Sequence, residues 1–148
     1  MVHTGAMTPP GAVVTLLFTD IVGSTELLSR LGDDAFEGVR RLHFRTLGEV
    51  VKAAGGSEVK KLGDGLMAAF GSSVDAVGCA TAIQGAVARQ NLAAGEGRVE
   101  VRVGLHVGEP IRDEEDYYGT PVVVAKRLCD LANGGQVLTS SLVRDLVG

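Results

Sequence analysis

The amino-acid sequence predicts an α+β domain, a mostly antiparallel sheet with helices on one face. Three observations carry that expectation. Val13 to Phe18 is apolar and β-branched apart from Thr15, the pattern of a strand covered on both sides. Ser57 to Phe70, SEVKKLGDGLMAAF, has two extended pieces flanking Gly63-Asp64-Gly65, and Asp-Gly between such pieces is a strong hairpin signal. Two long segments, Asp33 to Ala54 and Ser72 to Ala94, repeat apolar residues at helical spacing and so need a surface to lie on.

Taken in order, the first strand ends on a carboxylate, Asp20. The small-residue turn Ile21-Val22-Gly23-Ser24-Thr25 then opens a short helix, Glu26 to Leu31. An acid at a strand end beside free backbone N–H groups can hold a hard cation and the phosphates it carries. The plainer alternative makes Asp20 a strand terminator and Ser24 a helix N-cap. The helix from Asp33 to Ala54 places Phe36, Val39, His43, Leu47, Val50 and Ala54 on one face. Asp33 or Asp34 can cap it, and Gly55-Gly56 ends it. His43 on that stripe reads as a core or interface histidine.

The hairpin that follows puts Asp64 at its tip, where turn geometry alone could explain it. The helix from Ser72 to Ala94 opens on Ser72 or Ser73 and lines one face with Ala76, Ala80, Ile83 and Val87. Gly78, Ala82 and Gly85 keep another face small, suited to close packing. Arg98 to His106 alternates charged and apolar residues, as a half-exposed strand does. Gly108 to Tyr118 reads as a hairpin with an acidic loop, Asp113 to Asp116. Thr120 to Leu131 is a helix with Pro121 in its first turn. A short strand, Gln136 to Thr139, and a capped short helix, Ser140 to Leu146, complete the chain.

With 148 residues, 45% of them apolar and 22% charged, the chain has the size and composition of one globular domain. The stretch Met1 to Gly11, with Pro9-Pro10-Gly11, reads as a loose arm, and it lacks the basic start and apolar core of a signal peptide. No apolar run reaches membrane-spanning length. The net charge of −4 and the lack of any Lys/Arg run longer than two argue against a nucleic-acid duplex as partner. Aromatic content of 4% without Trp argues against a base-stacking platform. Cys79 and Cys129 sit in apolar helical contexts and read as reduced core thiols.

Asp20 and Asp64, each at a strand end beside glycine, form a plausible pair of carboxylates for Mg²⁺ and a nucleotide. Four blocks then carry a resemblance: FTDIVGST, KKLGDGLMAAF, VRVGLHVGEP and DYYGTPVVVAKRLCDLA. In this order and spacing, from about Val13 to Ser141, they resemble the class III nucleotidyl cyclases. The resemblance implies a ferredoxin-like, palm-type βααββαβ core. It also implies conversion of a nucleoside triphosphate to a 3′,5′-cyclic monophosphate and pyrophosphate, in head-to-tail dimers that share each site between two chains.

Residue by residue, the resemblance makes Asp20 and Asp64 ligands of two Mg²⁺ or Mn²⁺ ions, with the Ile21 carbonyl as a backbone ligand. Gly23, Ser24 and Thr25 face the phosphates, and Arg102 falls where the outer phosphates are contacted. Lys60 and Asp116 match the base-reading pair. A lysine donating to adenine N1 and an aspartate accepting from N6 imply ATP, so the resemblance is to an adenylyl rather than a guanylyl cyclase. Arg127 matches the arginine that stabilises the transition state.

Two departures stand out. Val123 occupies the position of a ribose-orienting asparagine and cannot hydrogen-bond. The sequence ends at Gly148, where the family continues into a further strand pair. These departures favour, as the alternative, a non-catalytic nucleotide-binding or dimerisation module of the same fold; a guanylyl cyclase is the third reading, and Lys60 speaks against it. The expected compartment is the cytoplasm and the expected assembly a homodimer.

Overall fold

The computed structural model describes residues 12–148, so the arm expected over residues 1–11 lies outside the described residues. The chain runs β1 (Val14–Ile21), α1 (Ser24–Leu31), α2 (Asp33–Ala53), β2 (Ser57–Leu62), β3 (Gly65–Phe70), α3 (Ser73–Asn91), a 3-10 turn (Gly95–Gly97), β4 (Val101–Gly108), β5 (Ile111–Asp113), β6 (Asp116–Tyr118), α4 (Thr120–Leu131), β7 (Val137–Thr139) and α5 (Ser141–Val147). Five strands form one sheet in the order β2-β3-β1-β4-β7, while β5 and β6 pair separately as a ribbon. All neighbours in the sheet are antiparallel except β4 and β7. The α+β class and the mostly antiparallel sheet are as expected.

β1 is central and covered on both sides, as its unbroken apolar run requires. Leu17 and Ile21 join Leu66, Phe70, Val103 and Leu105 against α1, α2 and α3. Val14, Leu16 and Phe18 point the other way and pack with Met67, with Tyr117 of β6, and with Ala125 and Cys129 of α4. The expectation of helices on one face therefore holds for α1 to α3 and is corrected for α4, which covers the opposite face. Gly104 permits that cover: a Cβ there would stand 2.2 Å from the Cys129 backbone nitrogen and 2.7 Å from the Ala125 carbonyl oxygen.

That cover also explains why β4 is not the half-exposed strand its alternation suggests. Its charged position, Arg102, is turned under α4. The strand begins at Val101 rather than Arg98 because the Asn91 side chain takes both backbone groups of Val99, at 2.8 and 3.0 Å, and ties that stretch to the end of α3.

Three smaller expectations change. Gly23 and Gly32, not Ser24 and the Asp33/Asp34 pair, occupy the N-cap positions of α1 and α2, and neither helix has a side-chain cap. The small-residue face of α3 is solvent-exposed at Gly78 and Ala82 rather than closely packed. Ser72 does cap α3, its hydroxyl accepting from the Asp75 N–H at 3.2 Å.

Candidate active site

The two acids stand at the same end of the sheet. Asp20 is the penultimate residue of β1 and lies directly across from Arg102 of β4. Its Oδ2 accepts from Arg102 Nη2 at 2.9 Å, while Arg102 Nη1 donates to the Asp130 carbonyl of α4 at 2.8 Å. The hydrogen bond to Asp20 raises the Arg102 pKa above its ordinary value against the opposing effect of desolvation. Arg102 thus ties the metal-type carboxylate to the C-terminal turn of α4, rather than extending free toward a phosphate.

Asp64 sits in a two-residue turn, since Leu62 pairs with Gly65. The turn is centred on Gly63-Asp64, one residue earlier than the Asp-Gly signal suggests. Gly63 takes φ 59°, which the first central position of a type II′ turn requires. Gly65 has a different task. A Cβ there would be 2.4 Å from the Thr19 carbonyl oxygen, so only glycine lets the hairpin lie this close to β1. The Thr19 hydroxyl accepts from the Leu66 N–H at 3.1 Å and fixes the register. Because Thr19 pairs with Leu66, the Asp64 turn stands beside the Asp20 end of β1.

Arg40 of α2 was not foreseen from the sequence. Its Nη2 donates to the Gly63 carbonyl at 2.9 Å, its Nε lies 3.5 Å from Asp64 Oδ1, and its guanidinium stacks 4.8 Å over the Phe44 ring. Each carboxylate therefore faces one guanidinium. Two carboxylates and the Ile21 carbonyl are hard oxygen donors, and they fit Mg²⁺ or Mn²⁺. Among the described residues no three His, Cys, Asp or Glu side chains cluster at metal-binding distance. Gly23, Ser24 and Thr25 begin α1, whose first N–H groups have no side-chain cap.

On the same sheet face, Lys60 of β2 meets Asp116 of β6 at 2.8 Å. A bulge aims the lysine there. The pairing shifts between Glu58 and Lys60, so Lys60 stands opposite Met67, whose side chain faces α4, instead of Leu66, whose side chain faces the other helices. Burial raises the Asp116 pKa, but hydrogen bonds from Lys60 and the Tyr117 N–H, with the Lys60 charge, outweigh it and leave the carboxyl below its ordinary value. Nothing in SEVKKLGD announces this bulge.

Arg127 stands apart. It is exposed on α4 and makes no ion pair among the described residues, and Val123, one turn earlier, is exposed as well. The structure brings together Asp20 with Arg102 and Lys60 with Asp116, and it aligns Asp64 with Asp20. It leaves Arg127 pointing away from its own chain's pairs.

Comparison with known proteins identifies the family. Residues 8–147 match the adenylate and guanylate cyclase catalytic domain, so the chain belongs to that family. Its relatives include an uncharacterised protein of Mycobacterium tuberculosis, 38% identical over 94% of this chain and 46% of the relative. The chain thus spans about half the length of that curated relative. Among solved structures it is similar to a guanylyl cyclase, with TM-score 0.83, 25% identity, 92% of this chain and 78% of that one covered. It is also similar to adenylate cyclases of Trypanosoma brucei in their monomeric state, with TM-score 0.81, 28% identity and coverage of 97% and 79%.

Proposed function

We propose that residues 12–148 form an adenylyl cyclase domain that converts ATP to 3′,5′-cyclic AMP and pyrophosphate at sites shared by a head-to-tail homodimer. The carrying observation is the Lys60–Asp116 pair, an N–H donor and a carboxylate acceptor held 2.8 Å apart on the sheet face that also bears Asp20. Adenine offers an acceptor at N1 and a donor at N6, the complement of that pair. Guanine offers the reverse and would meet two mismatched groups.

Asp20 and Asp64, with the Ile21 carbonyl, would hold Mg²⁺ or Mn²⁺. When bound, such ions lower the pKa of a hydroxyl and neutralise phosphate charge. The reaction forms the bond from the ribose 3′-oxygen to the α-phosphorus and breaks the α–β bridge, so pyrophosphate leaves and the 3′-hydroxyl loses its proton. The N–H groups of Gly23, Ser24 and Thr25 face the phosphates at the start of α1. Arg102 sets positive charge beside Asp20. Arg127 stabilises charge that builds at the α-phosphoryl group, a contribution on the order of 10²–10³ in rate for one such donor.

The position of Arg127 supports the dimer. Among the described residues Arg127 has no ion-pair partner, and it is flanked on the outer face of α4 by exposed Val123 and Leu131 (48% and 72%). A second copy can use that arginine and cover that stripe together. Val123 offers the ribose no hydrogen bond, which predicts slow turnover rather than none. The compartment included in the proposal is the cytoplasm, where ATP is available. No helix among the described residues is long and apolar enough to cross a membrane.

The test is to supply ATP and GTP separately to the folded chain with Mn²⁺ or Mg²⁺. Cyclic AMP formation with little cyclic GMP supports the proposal. Cyclic GMP as the main product overturns the base reading, and no product with either nucleotide leaves a nucleotide-binding module as the better account.

A further inference from the structure

The turn that carries Asp64 has two residues, Gly63 and Asp64, between the paired Leu62 and Gly65. Two hairpin turns of this length share a positive φ at the first central residue. They differ by a flip of the peptide that joins the two central residues. In type I′ the second residue also has positive φ, and in type II′ it does not. Gly63 has φ 59°, and among the described residues Glu114 is the one non-glycine residue with positive φ. Asp64 therefore has negative φ, and the turn is type II′. The flipped form is within reach, because aspartate tolerates positive φ better than most residues do. A flip would reverse the Gly63 carbonyl and swing the Asp64 carboxylate round with its backbone.

Arg40 holds that peptide. Its Nη2 donates to the Gly63 carbonyl at 2.9 Å, and this is the oxygen that a flip would turn away. Its Nε lies 3.5 Å from Asp64 Oδ1, and its Nη1 lies 3.7 Å from Glu37 of α2. Each guanidinium nitrogen thus has its own partner. Phe44, one turn further along the same face of α2, is buried and seats the guanidinium 4.8 Å from its ring centre. The side chain is fixed to α2 at one end and to the turn at the other.

We propose that Arg40 is a positioning residue: it locks the Asp64 turn in the type II′ form and so aims the Asp64 carboxylate at its metal ion. The lock stands on the turn geometry, while the aim rests on the metal reading of Asp64. Charge acts in the opposite sense, since a guanidinium beside a carboxylate disfavours a second cation there. Arg40 is half-buried, so solvent screens that repulsion, whereas a misdirected carboxylate is lost to the ion. Aim therefore outweighs charge.

The test is Arg40→Leu, which keeps an apolar stem on Phe44 and removes every donor. Arg40→Met replaces it if the leucine variant does not fold. The lock is read without metal by nuclear magnetic resonance. Only the type II′ form brings a Gly63 Hα against the Asp64 N–H, so their Overhauser cross-peak should be strong in the wild-type chain and weak in the variant. A hydrogen bond from a charged donor shifts such an equilibrium by about tenfold or more. The aim is read by electron paramagnetic resonance as affinity for Mn²⁺ alone, which should fall about three- to tenfold in the variant. Loss of the fold would move neither quantity in a chain shown to be native by its urea midpoint. An undiminished cross-peak overturns the lock. A weakened cross-peak with Mn²⁺ bound as tightly as before, or more tightly, overturns the positioning role and leaves charge repulsion as the effect of Arg40. Asp64→Asn is the control for the metal reading. If it leaves Mn²⁺ affinity unchanged, that reading fails and takes the aim with it, while the cross-peak still decides the lock.

Discussion

His43 should make the fold acid-sensitive by a predictable amount. Its pKa falls from 6.5 to about 4 in the folded chain because burial disfavours the imidazolium, with nearby Asp64 partly opposing. Above about pH 6.5 the ring is neutral in both states and contributes nothing to the pH slope. Between the two values the unfolded chain binds a proton that the native chain refuses, so stability falls as pH falls. At about pH 5 the loss is about 2 kcal/mol, from roughly 1.5 pH units at 1.36 kcal/mol each. His43→Phe keeps an aromatic ring in the core and removes the titration. The assay is urea unfolding of both proteins at about pH 7 and about pH 5, at one fixed protein concentration because dimerisation would add to stability. With a slope on the order of 1–3 kcal/mol/M, the wild-type midpoint should drop by about 1 M more than that of the variant. Carboxylates titrate in both proteins and cancel in the comparison. Equal drops would show that His43 takes up a proton in place, and the assignment of a dry, unpartnered imidazole would be wrong.

Three further outcomes are expected. Gly104→Ala should destabilise the fold by at least about 1–3 kcal/mol, because its Cβ meets the backbone of α4 rather than a movable side chain, and calorimetry would show it as a lowered Tm. Lys60→Met should cut kcat/KM for ATP about 10- to 100-fold, the worth of a charge-assisted hydrogen bond, and collapse any ATP-over-GTP preference. An unchanged preference would dismiss Lys60 as a base reader. Burial pushes the Cys79 thiol up to about 11 and the Cys129 thiol up to about 12, so neither should react with iodoacetamide in the native chain at mildly alkaline pH, and both should react in urea.

Much of the fold was legible where one pattern had one meaning. Val14 to Phe18 is the covered strand that the apolar run from Val13 announced, Val13 itself being exposed ahead of it, and the stripes of α2 and α3 named residues that now line the core. What was not legible is relational. The periodicity of α4 shows which side of the helix is buried, not which side of the sheet receives it. That choice depends on Gly104, whose role as a contact point is visible only once β4 and α4 are superposed. The carboxylates Asp20 and Asp64 were readable as neighbours because one lies near the end of a strand and the other in a hairpin turn, at one end of the sheet. The Lys60–Asp116 contact depends on a bulge at Val59 and a ribbon that reaches across from far along the chain, and no local signal encodes either. Arg40 is the same kind of case. In sequence it is one of two adjacent arginines in a long helix, and only the packing of α2 against the hairpin turns it toward Asp64.

The shared site can be tested by arithmetic. The proposal puts the metal half, Asp20 and Asp64, on one chain and Arg127 on the other, because Arg127 is exposed on α4 with no ion-pair partner among the described residues. Asp64→Asn leaves a chain with a good Arg127 and a broken metal half. Arg127→Ala leaves the converse. Each variant alone should form homodimers with two broken sites. An equimolar mixture at random pairing makes about half its dimers mixed, and each mixed dimer has one intact site and one doubly broken site. The mixture should therefore recover about one quarter of wild-type cyclic AMP formation, from two proteins that show almost none separately. If all these groups served a site within one chain, mixing would recover nothing beyond the sum of the two variants. The same zero from variants shown by light scattering to exchange partners would refute the shared site, while recovery near one quarter would require both the outward-facing arginine and the two-chain geometry.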